Sequence, residues 1–241
     1  FIITVPDPYI VAANGLLTET TDNGDTITYR WETVHPVASY LVTVNVGNFM
    51  VEKNQTESGV PIRNYFPAEI FPQSLLTFKP TPRMIEFFSE TFGPYPFEAY
   101  GVVVADRNLG FALETQTLSL FGRNAALGGQ SSEEVIAHEL AHQWFGNSVS
   151  PAEWKDIWLN EGFATYASAL WWEYTSGADA LDNYMRGLYR ALTSPLMGPR
   201  FVAPGSPPKE DLFNGGVYIR GAWVLHALRL SVGDEVFFNI L

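Results

Sequence analysis

The chain has 241 residues, of which 46% are hydrophobic and 15% aromatic, with 20 Gly, 16 Pro, no Cys and a formal net charge of −12. That composition supplies a substantial core and lies outside the Pro/Gly-rich range of disordered chains. The acidic balance argues against nucleic acid or an anionic membrane as partner and suits a cationic ligand, such as a peptide with a free amino terminus. Without cysteine there is no disulfide framework and no thiolate metal site. No apolar run is long enough to predict a membrane-spanning helix. The first residue is Phe1, inside a strand-like stretch. This reads as an excised fragment with any signal peptide upstream, and a secreted or cell-envelope setting is favoured over the cytoplasm.

Residues 1–57 read as β structure. The runs 1–5, 9–13, 16–21, 26–33 and 40–46 are short and rich in β-branched and aromatic residues, with Asp22-Asn23-Gly24-Asp25 as the clearest hairpin turn. His35, beside Pro36, is expected in a loop. The polar run from Glu52 to Gly59 marks a boundary, so two domains are expected, 1–57 and 58–241, the second opening on a strand over 60–66. Thr81-Pro82 opens a helix that Gly93 stops, and 100–105 reads as a buried strand. The segment Gly110-Phe111-Ala112-Leu113-Glu114-Thr115 is strand-like. By itself it suggests an edge strand with Glu114 turned to solvent.

After a Gly-rich connection over 122–129, the chain reaches its most informative stretch, His138-Glu139-Leu140-Ala141-His142. Ser131 and Glu134 have capping-box spacing, 135–145 is apolar without Gly or Pro, and Gly146 can close the end, so a helix is predicted through Phe145. Residues four apart on a helix face the same way, which lets both imidazoles reach one metal ion. A catalytic zinc takes three protein ligands and keeps one position for water. The candidate third ligand is Glu161, nineteen positions after His142. It is expected on the first turns of a second helix starting near Asp156. Glu139, about 100° around the helix from His138, is placed to reach a bound water rather than the metal and so to act as general base.

At this point the residues resemble a known family. HELAHQWFGN followed by WKDIWLNEGFATY is similar to the zinc aminopeptidases of the aminopeptidase N family, in the gluzincin clan that also holds thermolysin. The resemblance implies an α+β fold, with a thermolysin-like catalytic domain preceded by the tail of a β-sandwich-like domain. It also implies one Zn2+ per chain on His138, His142 and Glu161. The segment 110–115 resembles the family's Gly-x-Met-Glu-Asn signature, with Leu113 for Met and Thr115 for Asn. That assigns Gly110, Ala112 and Glu114 to substrate binding, Glu114 holding the free α-ammonium by a charge-assisted hydrogen bond. Tyr218-Ile219-Arg220-Gly221-Ala222 is similar to the Tyr-x-Lys-Gly-Ala element, which makes Tyr218 the donor to the oxyanion. Arg220 and His226 are expected to be structural.

One position departs from the pattern. Many relatives carry a carboxylate seven residues after the glutamate ligand, orienting a zinc histidine, and this chain has Ser168. A site that still binds zinc, more weakly supported and supplemented by Asp156 or water, is the expected consequence. A helix over 178–192, an irregular segment over 193–214, a helical run to Leu230 and a last helix from Asp234 complete the reading. The function it implies is removal of amino-terminal residues from peptides. The alternatives are an endopeptidase of the same clan and a silent peptidase-like binding module.

Overall fold

The computed structural model describes residues 1–196 and 203–241. The last strand among the described residues ends at Gly122 and helices dominate after residue 130, so the fold is α+β. The residues form two compact units, 1–86 with 95–143, and 87–94 with 144–241.

The first unit holds three sheets. Strands β1 (Ile2–Pro6), β4 (Thr26–Glu32) and β3 (Leu16–Asp22) form an antiparallel sheet in that order. The predicted hairpin turn joins β3 to β4, with Gly24 at φ +93° and its N–H donating to the Asp22 carboxylate. β2 (Ile10–Ala13) pairs antiparallel with β5 (Val44–Gly47). The third sheet runs β6 (Phe49–Gln55), β7 (Pro61–Pro67), β8 (Tyr100–Ala105) and β9 (Ser119–Gly122), with the β6–β7 pair antiparallel and the other two parallel. Val11, Ala12, Tyr29, Trp31, Tyr65, Val103 and Leu118 share one core, which packs the amino-terminal strands on β7 and β8.

Several local expectations are corrected. The strand expected over 40–46 is a 3-10 turn, Ser39–Leu41, followed by strand only from Val44. Leu41 is buried there, and its carbonyl accepts from Asn14 and from the Gln116 N–H, which removes it from a ladder. The segment 110–115 makes a single bridge, Leu113 to Leu120, because the chain reverses at once through a 115–118 turn. Helix α1 (Phe71–Phe78) was not foreseen, although Pro72 in its first turn is a usual helix opening. α2 (Thr81–Phe92) and the stop at Gly93, φ +96°, agree with the reading.

Helix α3 (Gln130–Ala141) carries His138 and ends on His142 as its C-cap, whose N–H bonds back to the His138 carbonyl. The expected capping box does not form. Gly128 and Gly129, both at positive φ, start the helix two residues earlier, and the Ser132 and Glu133 N–H groups bond to the Gly129 carbonyl. Nor does the helix run to Phe145. Past His142 the Gln143 N–H bonds to the Leu140 carbonyl, three residues back, and the turn tightens out of α geometry.

The second unit is helical. α4 (Trp158–Ser176) follows a short 3-10 turn, Trp154–Asp156, and α5 (Ala178–Thr193) follows Gly177. Residues 197–202 of the irregular segment expected over 193–214 lie outside the described residues. The chain then enters a π-helical turn, Gly216–Arg220, continuous with α6 (Gly221–Val232), and ends in α7 (Asp234–Ile240). Tyr166, Ala169, Leu170, Met185, Leu225 and Phe237 form its core. Arg229 of α6 clamps that core by bonding Glu173 of α4 at 2.6 and 3.0 Å and Asp234 of α7 at 2.8 and 3.0 Å. No helix among the described residues is long and apolar enough to cross a membrane.

Candidate active site

In the first unit, α3 delivers two imidazoles to one point. The Nε2 atoms of His138 and His142 lie 3.1 Å apart, with the rings nearly perpendicular at 83°. Two nitrogens bound to one tetrahedral zinc at the usual bond length are separated by about 3.3 Å. The pair therefore has the spread that a single zinc ion requires, set by helical i,i+4 geometry alone. His142 is buried and His138 half-buried.

Two carboxylates stand beside His142. A carboxylate oxygen from each of Glu114 and Glu139 and a ring nitrogen of His142 lie within 4.8 Å of one another, and all three residues are buried. This overturns the edge-strand alternative for Glu114, whose side chain is 8% exposed rather than turned to solvent. Below Glu139, burial pushes the Tyr100 hydroxyl well above its ordinary pKa. Its bond to Ser119 Oγ (3.0 Å) opposes that rise and the charge of Glu139 adds to it. Tyr100 thus stays neutral on β8. Of the other substrate-binding candidates, Gly110 is exposed and Ala112 half-buried.

The loop that bears Glu114 has no regular structure, yet it is fastened by buried polar side chains. Thr117, a non-glycine residue at φ +65°, takes an N–H donation from Gly15 on its hydroxyl at 2.8 Å. Arg63 of β7 donates to the Thr117 hydroxyl (3.3 Å) and carbonyl (3.4 Å) and to the Ala13 (3.2 Å) and Tyr100 (3.4 Å) carbonyls. Burial lowers the Arg63 pKa below its ordinary value, partly offset by nearby Tyr65, Tyr95 and Glu98. Asn14 holds the Gln116 carbonyl at 2.6 Å. Gln143 spans the loop from the other side, accepting from the Thr117 N–H and donating to the Glu114 carbonyl. None of Asn14, Arg63, Thr117 or Gln143 is marked by motif spacing. An uncharged Gln directly after His142 was the available sign.

Glu161 and Tyr218 belong to the second unit. Glu161 is buried on the first turn of α4, its N–H on the Ile157 carbonyl at 3.1 Å, where the helix dipole favours a carboxylate. Tyr218 is half-buried in the middle of the π turn, a departure from α geometry that the sequence pattern did not foretell. Asn214 opens that turn, its Oδ1 accepting from the Gly216 N–H at 2.8 Å. The two segments meet at glycines: a Cβ built on Gly162 would stand 2.8 Å from the Gly221 Cα, and one on Gly221 equally close to the Gly162 Cα. The residues next to Glu161 and three beyond Tyr218 must therefore lack side chains.

Ser168 is buried in α4, with its hydroxyl on the Ala164 carbonyl at 3.3 Å, and Asp156 is half-buried. His226 behaves as expected for a structural residue. Its Nδ1 lies 3.1 Å from the Tyr166 hydroxyl, and burial, reinforced by Arg229, lowers its pKa. His35 packs edge-on against Phe97.

Residues 76–241, more than half of the chain, match the Peptidase family M1 domain. The chain belongs to peptidase family M1. Aminopeptidase N of Homo sapiens is 31% identical over 230 residues, which cover 86% of this chain and 24% of that protein. Aminopeptidase M1 of Arabidopsis thaliana is 28% identical over 250 residues, 98% of this chain and 28% of its own. The M1 zinc metallopeptidase of Deinococcus radiodurans superposes with a TM-score of 0.86 at 34% identity, covering 99% of this chain and 53% of that one. A mutant of it bound to a Tyr-Ser-Ala substrate gives 0.87 at 34%. The M1 chain thus spans about a quarter of the curated relatives and about half of the solved chains. The α+β fold is that of M1 zinc peptidases, and zinc is the cofactor that this membership and the His/Glu donors imply.

Proposed function

We propose that this M1 chain carries the catalytic centre of a zinc-dependent aminopeptidase that hydrolyses the first peptide bond of substrates with a free amino terminus. The observation that carries the reading is the 3.1 Å Nε2 separation of His138 and His142 with Glu139 and Glu114 buried beside His142. His138, His142 and, from α4, Glu161 are the three protein ligands. Zinc, when bound by such a set, lowers the pKa of coordinated water towards about 7 and polarises a carbonyl.

The remaining chemistry belongs to side chains. Glu139 takes the proton of the attacking water and hands it to the leaving amine. Glu114 holds the substrate α-ammonium, so that the scissile bond in reach is the first one. Tyr218 donates to the carbonyl oxygen as it gains negative charge, a contribution typically worth about 10²–10³ in turnover. The peptide substrates are the partners, and the acidic net charge of −12 favours their cationic termini. An endopeptidase has no ammonium to hold, and a buried Glu114 beside the catalytic glutamate weighs against it. A silent binding module has no need of an intact base and ligand pair.

The test is metal analysis followed by hydrolysis of aminoacyl anilides and of internally quenched, amino-blocked peptides by the full-length protein. Bound zinc and cleavage of the anilides alone are expected. Cleavage of the blocked peptides with the anilides left intact would overturn the reading.

A further inference from the structure

We propose that Gln143 is the positioning residue for amino-terminus selectivity, its side-chain amide setting where the Glu114 carboxylate stands relative to the histidine pair. This deepens the aminopeptidase reading and rests on it. Gln143 is fully buried and directly follows His142. Its Oε1 accepts from the Thr117 N–H at 2.9 Å and its Nε2 donates to the Glu114 carbonyl at 3.2 Å. The orientation of the amide is dictated, because a backbone N–H can only donate and a carbonyl only accept. One planar group therefore ties the residue that bears the ammonium-holding carboxylate to the chain position next to a metal-ligating imidazole.

Several other attachments of the loop lead to the sheets. Arg63 and Gly15 hold Thr117, and Asn14 holds Gln116, all from strands or turns of the sheets. They place the loop against the β core, whereas Gln143 places it against the end of α3. Thr117 sits at φ +65°, a backbone region that a β-branched residue rarely adopts without outside restraint. Its buried N–H needs a partner, and Gln143 supplies one. If the tie is cut, the loop keeps its anchor to the sheets but loses this restraint on its register with α3. The distance between the Glu114 carboxylate and the reacting bond then changes, and a misplacement of about 1 Å can cost about 10²-fold in rate.

Gln143→Met keeps length and volume and removes both hydrogen bonds. Gln143→Glu keeps the acceptor for Thr117 and removes the donor to Glu114. Each variant of the zinc-loaded protein is assayed on an aminoacyl anilide and on its desamino counterpart, which lacks only the terminal amine. The ratio of the two kcat/KM values is expected to fall about 10–100-fold in Gln143→Met, chiefly through a higher KM for the free-amine substrate, with zinc content unchanged. Equal slowing of both substrates, or slowing of neither, would overturn the proposal and leave Gln143 a purely structural residue. Should Gln143→Met not fold, Gln143→Glu decides by the same ratio. A wild-type ratio near one would instead overturn the assignment of Glu114 to the ammonium, and with it the aminopeptidase reading.

Discussion

In the first unit the buried carboxylate Glu114 rides on a loop held by buried hydrogen bonds, whereas in the second unit Glu161 and Tyr218 ride on helical segments that touch backbone to backbone. The two solutions bury a carboxylate, Glu114 in one and Glu161 in the other, by different means. A loop has no repeating ladder to satisfy its own amides, so Arg63, Asn14 and Gln143 serve them instead. A helix satisfies its own backbone, and what it needs is close approach, which Gly162 and Gly221 allow. Loss of a hydrogen-bonding side chain should therefore dominate in one unit, and gain of a methyl group in the other.

The largest expected effect lies in the chemistry of the first unit. Glu139→Gln keeps shape and removes the base, so turnover should fall about 10²–10⁴-fold while metal analysis finds zinc retained. Retained turnover would take the proton-transfer role away from Glu139 and weaken the contrast at its more reactive end.

The next effect tests the second unit. Gly162→Ala puts a methyl group 2.8 Å from the Gly221 Cα, where backbone must move. We expect a loss of about 1–3 kcal/mol in stability and about a 10²-fold fall in kcat, read by denaturant unfolding and steady-state kinetics. A harmless substitution here would show that the helices are not held by close contact.

The smallest effect concerns charge in the second unit. Hydrogen bonding to Arg229, opposed in part by slight burial, lowers the Asp234 pKa below the ordinary carboxylate value. Its stabilising contribution is complete above that ordinary value and is lost as pH falls through the lower, folded value. Because the Asp234 side chain is 68% exposed, screening limits the contribution to about 0.2–1 kcal/mol. Melting temperatures taken from pH 6 down to pH 3 should show a smaller acid decline in Asp234→Asn than in the wild type. An identical decline would remove Asp234 from the clamp and leave Glu173 as the effective partner of Arg229.

The histidine pair, the glutamate between them and the helix that carries them were legible from residues 131–146, because i,i+4 spacing is a property of one helix and needs no other part of the chain. Spacing also offered Glu161 as the third ligand, and resemblance extended the reading to Glu114 and Tyr218 as roles. The segment around Glu114 looked like a strand because alternating apolar residues suit one, and the structure instead turns it back at Thr117. The π turn at Tyr218 and the early start of α3 at the Gly128-Gly129 pair also depend on geometry that residue patterns leave open.

The sequence by itself determined which atoms could meet a metal and which carboxylate could move a proton, since both follow from residue type and helical period. Tertiary structure alone decided that Glu114 is buried beside Glu139, that Gln143 bonds its carbonyl, and that two glycines let α4 and the π turn touch. Those facts arise from contacts between residues far apart in the chain. The burial and partners of such residues depend on everything packed around them, and no local pattern encodes that.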